Sequence, residues 1–258
     1  MILTFDGSFQ GFMSLIHAHY YQKLDPVLIQ TENTAQLTLD STPRHILTDL
    51  THAATVEKAI LHKVSPEALL RVKYALLSDK PDKFMSIFKY VQLAFQVGHM
   101  VDSHLQTPCV QQTHDLARHV GREAHLLNGF CRFQEVVPHS PDNQVSTNTH
   151  TILYAVITPK NNVLALVADH FTQRLKNHIW VIHDKSRHQA AIYNGDSYTL
   201  VHVPIHTQFA LAPEEAEIQT MWKAFFKSLT IEARRNPKVQ RQLLPLYFRK
   251  NMVEFQPD

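Results

Sequence analysis

The chain has 258 residues, 44% of them hydrophobic, enough to bury one large core or two small ones. Its 25 basic and 23 acidic side chains leave a formal charge of +2, so no global polycation dictates nucleic-acid binding; the 18 histidines add charge only in mild acid. Cys109 and Cys131 form no Cys-x-x-Cys pair, and neither a signal-peptide pattern nor a membrane-length apolar run is present, so the expectation is a soluble protein of the reducing cytoplasm.

Ile2 to Phe5 reads as a short strand ended by the Asp6-Gly7 turn, and Ser8 as the N-cap of a helix carrying Phe9, Phe12, Met13, Ile16 and Tyr20. Val27 to Gln30 suits a second short strand. After Thr42-Pro43 the pattern is helical: Ile46, Leu50, Ala53 and Ile60 mark one helix, and Ser65-Pro66-Glu67 opens the next. A further helix starts near Asp82, and another runs from Thr107-Pro108 to Leu127, where Asn128-Gly129 predicts a left-handed C-cap. Beyond Gly129 the period becomes that of strands: Phe130 to Val137, then the breaker-rich Pro138 to Asn148, then Thr151 to Thr158. Pro159 to Asn162 is a turn before an amphipathic helix through Leu164, Val167, Ala168, Phe171 and Leu175. Ile179 to His183, Gln189 to Tyr193 and Tyr198 to Val203 read as strands, the last two joined by the turn at Asn194-Gly195-Asp196. Pro213-Glu214-Glu215 opens a helical tail, which Arg234-Arg235-Asn236-Pro237 interrupts before a last helix at Lys238 to Leu244. The layout is α+β: a mainly helical region 1–105 with a short leading strand, then a core domain 106–258. That second domain holds a largely antiparallel sheet with one inserted helix and a C-terminal helical segment. The two regions also fit one continuous domain.

Several polar groups stand where they can do chemistry. Arg122 and His125, three apart at a helix end, share a face. Arg132, in the strand that follows, needs an acceptor: a carboxylate such as Glu123, making a structural tie, or an incoming phosphate. His170 and Arg174, four apart on the inserted helix, form either part of an anion cradle or an ordinary polar edge. Alternation puts His183 on the face of Ile179 and Val181, with Asp184 opposite or in the turn, followed by Arg187. A strand-end histidine suits acid–base work, and the alternative is a turn histidine tied to backbone. No further His or Asp set completes a metal site, so no metal is expected. Arg234, Arg235, Lys238 and Arg241, with Lys223 and Lys227 upstream, make the tail locally basic, while Trp222, Phe225, Phe226, Tyr247 and Phe248 are mostly core by spacing. His17, His45, His52, His62 and His104 stand singly and read as surface or satisfied core groups. No phosphate-cradling loop, dinucleotide fingerprint, nucleophile elbow or iron–sulfur run is present, and no cofactor is expected.

The chain resembles a bacterial family assigned to DNA metabolism or DNA repair, whose core is a domain of unknown function. The matching segments are Phe5-Asp6-Gly7-Ser8-Phe9-Gln10-Gly11-Phe12, Arg122-Glu123-Ala124-His125, Gly129-Phe130-Cys131-Arg132-Phe133 and Tyr154-Ala155-Val156-Ile157-Thr158-Pro159. They continue with His170-Phe171-Thr172-Gln173-Arg174, Trp180-Val181-Ile182-His183-Asp184, and Ile231 with Arg234 and Asn236. Members are genomic companions of a radical SAM protein with a helix-hairpin-helix DNA-binding motif, and some resemble fusions to a uracil-DNA glycosylase domain. Relatives tend to carry a basic residue before an aromatic after the Pro245 equivalent; here Leu246-Tyr247-Phe248 stands there. The resemblance implies a repair or nucleic-acid modification accessory protein with a radical SAM partner, DNA as a ligand and no membrane. A second expectation is an enzyme acting on a nucleobase or phosphodiester, with His183 or His125 as acid–base. In the enzyme, Arg132, Arg174 and Arg187 bind phosphate, and the full set of candidate phosphate or nucleic-acid contacts is Arg122, Arg132, His170, Arg174, Arg187 and Arg234. A third is a non-catalytic scaffold.

Overall fold

The first strand, β1 (Ile2–Phe5), ends at Asp6, whose carboxylate folds back onto the start of helix α1 (Phe9–Gln22). It accepts hydrogen bonds from the Ser8 amide at 2.9 Å, the Ser8 hydroxyl at 2.7 Å and the Thr48 hydroxyl at 2.8 Å. Ser8 caps the helix through the Gly11 amide at 2.8 Å. Gly11 is required for this packing, since a Cβ there would stand 2.1 Å from the Asp6 carboxylate. The Asp-Gly-Ser-x-x-Gly pattern is therefore a turn-and-cap device.

The structure is a computed structural model and describes residues 1–32, 43–137, 151–204 and 210–256. The breaker-rich run Pro138 to Asn148 lies outside these residues. The chain forms two compact units, Met1–Gly121 and Arg122–Asp258. In the first, β1 pairs in parallel with β2 (Leu28–Thr31) and with β3 (Arg44–His45). The helices α2 (Leu50–Lys63), α3 (Pro66–Leu76) and α4 (Lys83–Val97) follow, then a 3-10 turn at Gly98–Ser103. Asp49 and Ser65 cap α2 and α3 as short polar N-caps do. The core centres on Phe5, Phe12 and Phe84, whose ring centroids lie 5.1–6.1 Å apart.

Helix α5 (Pro108–Phe130) runs past the expected stop at Asn128-Gly129. Gly129 has no positive φ, and the Cys131 amide donates to Leu127 O at 2.8 Å, so the helical ladder overrides the local preference of Asn-Gly. One consequence corrects an expectation: Arg132 lies in the link between α5 and strand β4 (Phe133–Val137), outside the strand.

The second unit is built on a six-stranded sheet. Its strands β5 (Ile152–Ile157), β6 (Trp180–Asp184), β7 (Gln189–Tyr193), β8 (Tyr198–His202) and β9 (Ala210–Leu211) join β4 in the order β8-β7-β6-β5-β4-β9. Among the described residues four of the pairings are antiparallel, and β5–β6 alone is parallel because helix α6 (Leu164–Arg174) is the crossover between them. Trp180, Ile182, Ala191 and Tyr193 share one face and are buried, as are Leu164, Val167, Ala168 and Phe171 of α6. Phe171 meets Phe133 edge-on at 4.9 Å, and Trp180 stacks on Tyr193 at 5.0 Å. The opposite face carries a smaller apolar cluster of Val136, Tyr154, Val181 and Ala190. The tail comprises α7 (Glu215–Ser228), α8 (Pro237–Leu243) and α9 (Leu246–Arg249). The fold is α+β, and among the described residues no helix is long and apolar enough to cross a membrane.

Candidate functional site

Of the polar residues singled out in the sequence, Glu123, His183, Asp184 and Arg187 lie around the carboxyl ends of the parallel pair β5–β6, the place where a crossover opens a sheet to polar groups. Glu123 of α5 is 4% exposed and accepts four hydrogen bonds. They come from the Lys160 amide at 2.9 Å, the Asn161 amide at 2.8 Å, the Asn161 side chain at 2.6 Å and the Tyr247 hydroxyl at 3.0 Å. Arg187 takes the same loop from its other polar side, donating to Pro159 O at 3.2 Å and to Lys160 O. Its Nη1 also pairs with buried Asp184 at 3.1 Å, and Asp184 accepts from the Ser186 amide at 2.9 Å. Burial raises the Asp184 carboxyl above its ordinary range, with Arg187 and the backbone amides pulling the other way. The loop after β5 is thus held through its amides by Glu123 and through its carbonyls by Arg187. Tyr247 completes this network, with the Lys160 ammonium 5.3 Å from its ring centroid.

His183 sits one residue away from Asp184 and on the opposite face, level with Val156 of β5 and Ala190 of β7. It is 1% exposed. Its Nδ1 shares a 2.7 Å hydrogen bond with the Tyr154 hydroxyl, while buried Nε2 has no partner among the described residues. Burial, then the nearby Lys185 and His188, lowers its pKa, so the imidazole is neutral at neutral pH and one ring nitrogen is uncommitted.

Arg132 is held elsewhere. It donates to Glu254 at 3.0 Å, not to Glu123, and its guanidinium lies 4.4 Å from the centroid of Trp222. The Trp222 indole also donates to Glu254, at 3.2 Å, so the carboxylate is clamped from two sides. Burial pushes the thiol of neighbouring Cys131 up to about 12, which disfavours the thiolate.

His170 has a buried Nε2 without a partner among the described residues and an edge contact with Phe171 at 5.0 Å. Arg174, four residues on, is exposed, as are Arg122 and His125 on α5. Of the expected site residues, Arg187 is tied to Asp184 at the end of β6, while His183 faces the other side of the sheet and bonds Tyr154. No described hydrogen bond links Arg122, His125, Arg132, His170 or Arg174 to these residues.

Arg234 belongs to a different surface. From Ile218 to Val253 the tail carries eight basic side chains, Lys223, Lys227, Arg234, Arg235, Lys238, Arg241, Arg249 and Lys250, against one acidic residue, Glu232. Among the described residues the side chains of Lys227, Arg234, Lys238 and Arg241 are exposed and have no acceptor. Arg234, Arg235, Asn236 and Gln240 line a groove of about 440 Å³ with Leu229, Ile231, Val239 and Leu243. Phe225, expected in the core by its spacing, is 52% exposed, and Ile218, Met221 and Leu229 continue the same open stripe of α7.

Sequence reasoning missed a polar cluster in the first unit. Asp102 accepts from Arg71 at 2.9 and 3.1 Å, from the Tyr90 hydroxyl at 2.8 Å and pairs with His114 Nε2 at 2.9 Å. Burial works upward on Asp102, but these partners outweigh it and hold the carboxyl below its ordinary range. The residues come from three helices and a 3-10 turn, so no local spacing announces them. Among the described residues, no group of three or more His, Cys, Asp or Glu side chains suited to a metal ion is found.

A family model described as a domain of unknown function (DUF4130) matches residues 81–254. The chain belongs to this family. The DUF4130 match contains Glu123, Asp184 and Arg187 of the sheet-end network, the His183–Tyr154 pair and the basic tail, while the Asp6 turn-and-cap motif precedes it. No curated protein matches the chain.

Proposed function

We propose that this chain is an accessory protein of DNA repair or nucleic-acid modification, acting in the cytoplasm beside a radical SAM enzyme and holding nucleic acid on its basic tail. The observation that carries this reading is where the cations go. Arg132, just before β4, and Arg187, in the turn after β6, are spent on Glu254 and Asp184, whereas Lys227, Arg234, Lys238 and Arg241 stand exposed. Cations without carboxylate partners are the ones that can neutralise phosphates and release counterions. The family resemblance supports the repair context and the radical SAM partner. The test is binding of a labelled DNA duplex at two salt concentrations, with the radical SAM protein encoded beside the gene added in a second series. Neutralising Arg234, Lys238 and Arg241 to Gln should weaken binding and flatten the salt dependence by about 0.9 for each phosphate no longer neutralised. An unchanged slope sinks the reading.

A second reading, an enzyme acting on a nucleobase or phosphodiester, is favoured by His183 alone. A neutral buried imidazole with one nitrogen oriented by Tyr154 and the other uncommitted is suited to proton transfer. Under it, His183→Gln and Tyr154→Phe both abolish turnover in the reconstituted pair while DNA affinity stays as in the wild type.

A further inference from the structure

The first unit carries an aromatic groove that neither reading uses. His17, Tyr20 and Tyr21 of α1, Lys63 of α2 and Phe95 of α4 line about 400 Å³. Tyr21 and His17 are nearly parallel, with centroids 4.1 Å apart at 15°, and His17 and His52 continue the stack at 3.9 Å and 9°. Tyr20 stands edge-on to Phe95 at 5.7 Å. These rings are open: Tyr21 is 73% exposed and Tyr20 45%. Burying an aromatic ring is among the larger apolar gains a fold can make, so a flat stack left in water offers that gain to a ligand. The Lys63 ammonium is exposed and has no acceptor among the described residues. Asp49, 3.6 Å from His52, makes the other end of the stack unfavourable to an anion.

We propose that this groove binds a base of single-stranded nucleic acid, stacked on the outer face of Tyr21 so that it extends the Tyr21–His17–His52 column, with an adjoining phosphate on Lys63. Parallel π-faces beside one cation, with phenol and imidazole edges for polar contacts, match a nucleotide better than an aliphatic side chain, which needs no flat partner. The inference rests on ring geometry in the first unit and stands apart from the basic tail of the second.

The test uses the full chain and fluorescence anisotropy with two labelled strands of equal length, oligothymidylate and an abasic phosphodiester. Tyr21→Ala should weaken oligothymidylate binding about tenfold and leave the abasic strand unaffected, since one stacking ring is worth that much. Tyr21→Phe should retain the affinity, and Lys63→Gln should lower the salt slope on both strands by about 0.7. Equal affinity of the wild type for both strands, or no effect of Tyr21→Ala on oligothymidylate, overturns the proposal. So does self-association of the wild type that Tyr21→Ala abolishes, because the groove would then be covered by a second copy. The Gln variants of Arg234, Lys238 and Arg241 report separately on the tail, so either idea can fail alone.

Discussion

The ends of β5–β6 and the basic tail, both in the second unit, use arginine in opposite ways. At the sheet, Arg187 bonds Asp184 and two backbone carbonyls, and Glu123 bonds the amides of the same loop. On the tail, Arg234 and Arg241 meet no carboxylate among the described residues. The first arrangement fixes a loop; the second leaves charge for a ligand. Arginine in a recurring motif is therefore weak guidance to binding until its acceptor is known.

The contrast can be broken most forcefully at Glu123. Glu123→Ala leaves the amides of Lys160 and Asn161 without their acceptor, and should cost about 3–4 kcal/mol, read as a lower urea midpoint. Arg132→Ala strands the Glu254 carboxylate, whose side chain is 2% exposed, and should cost about 2 kcal/mol, discounted because Arg132 is one-third exposed. His183 adds a pH signature. Its folded pKa is lowered from 6.5, so just below that value the unfolded chain binds the extra proton and stability falls as the solution is acidified. His183→Gln should remove that contribution, at most about 1.4 kcal/mol per pH unit, in thermal melts between pH 6.5 and lower values. Neutralising Arg234, Lys238 and Arg241 should change stability by only about 0.5 kcal/mol, since surface charges without partners contribute little to the fold.

Local features were legible in the sequence. Ser8 and Ser65 cap the helices they were expected to open, and alternation correctly puts His183 with Val181 and opposite Asp184. The fold class followed from those periods. The two-residue strands β3 and β9 are too short to leave a period, and Asn128-Gly129 was a local preference that the α5 ladder outweighed. The partners of the site residues were not legible, because they are distant in the chain. Glu254 lies 122 positions from Arg132, and Tyr247 lies 124 from Glu123. Sequence spacing reports what shares a helix face or a strand face, and such pairings are set by the tertiary fold instead.

In the function proposed above, the tail rather than the sheet-end network holds nucleic acid. The most direct measurement is the salt dependence of DNA affinity for two variants, each first shown by circular dichroism to be folded: Arg187→Gln at the sheet, and Arg234→Gln with Lys238→Gln and Arg241→Gln on the tail. The sheet variant is expected to keep the wild-type slope, whereas the slope of the tail variant falls by about 0.9 for each phosphate it can no longer neutralise. A tail variant with the wild-type slope, or a sheet variant whose slope falls, would show that the tail is not where nucleic acid is held.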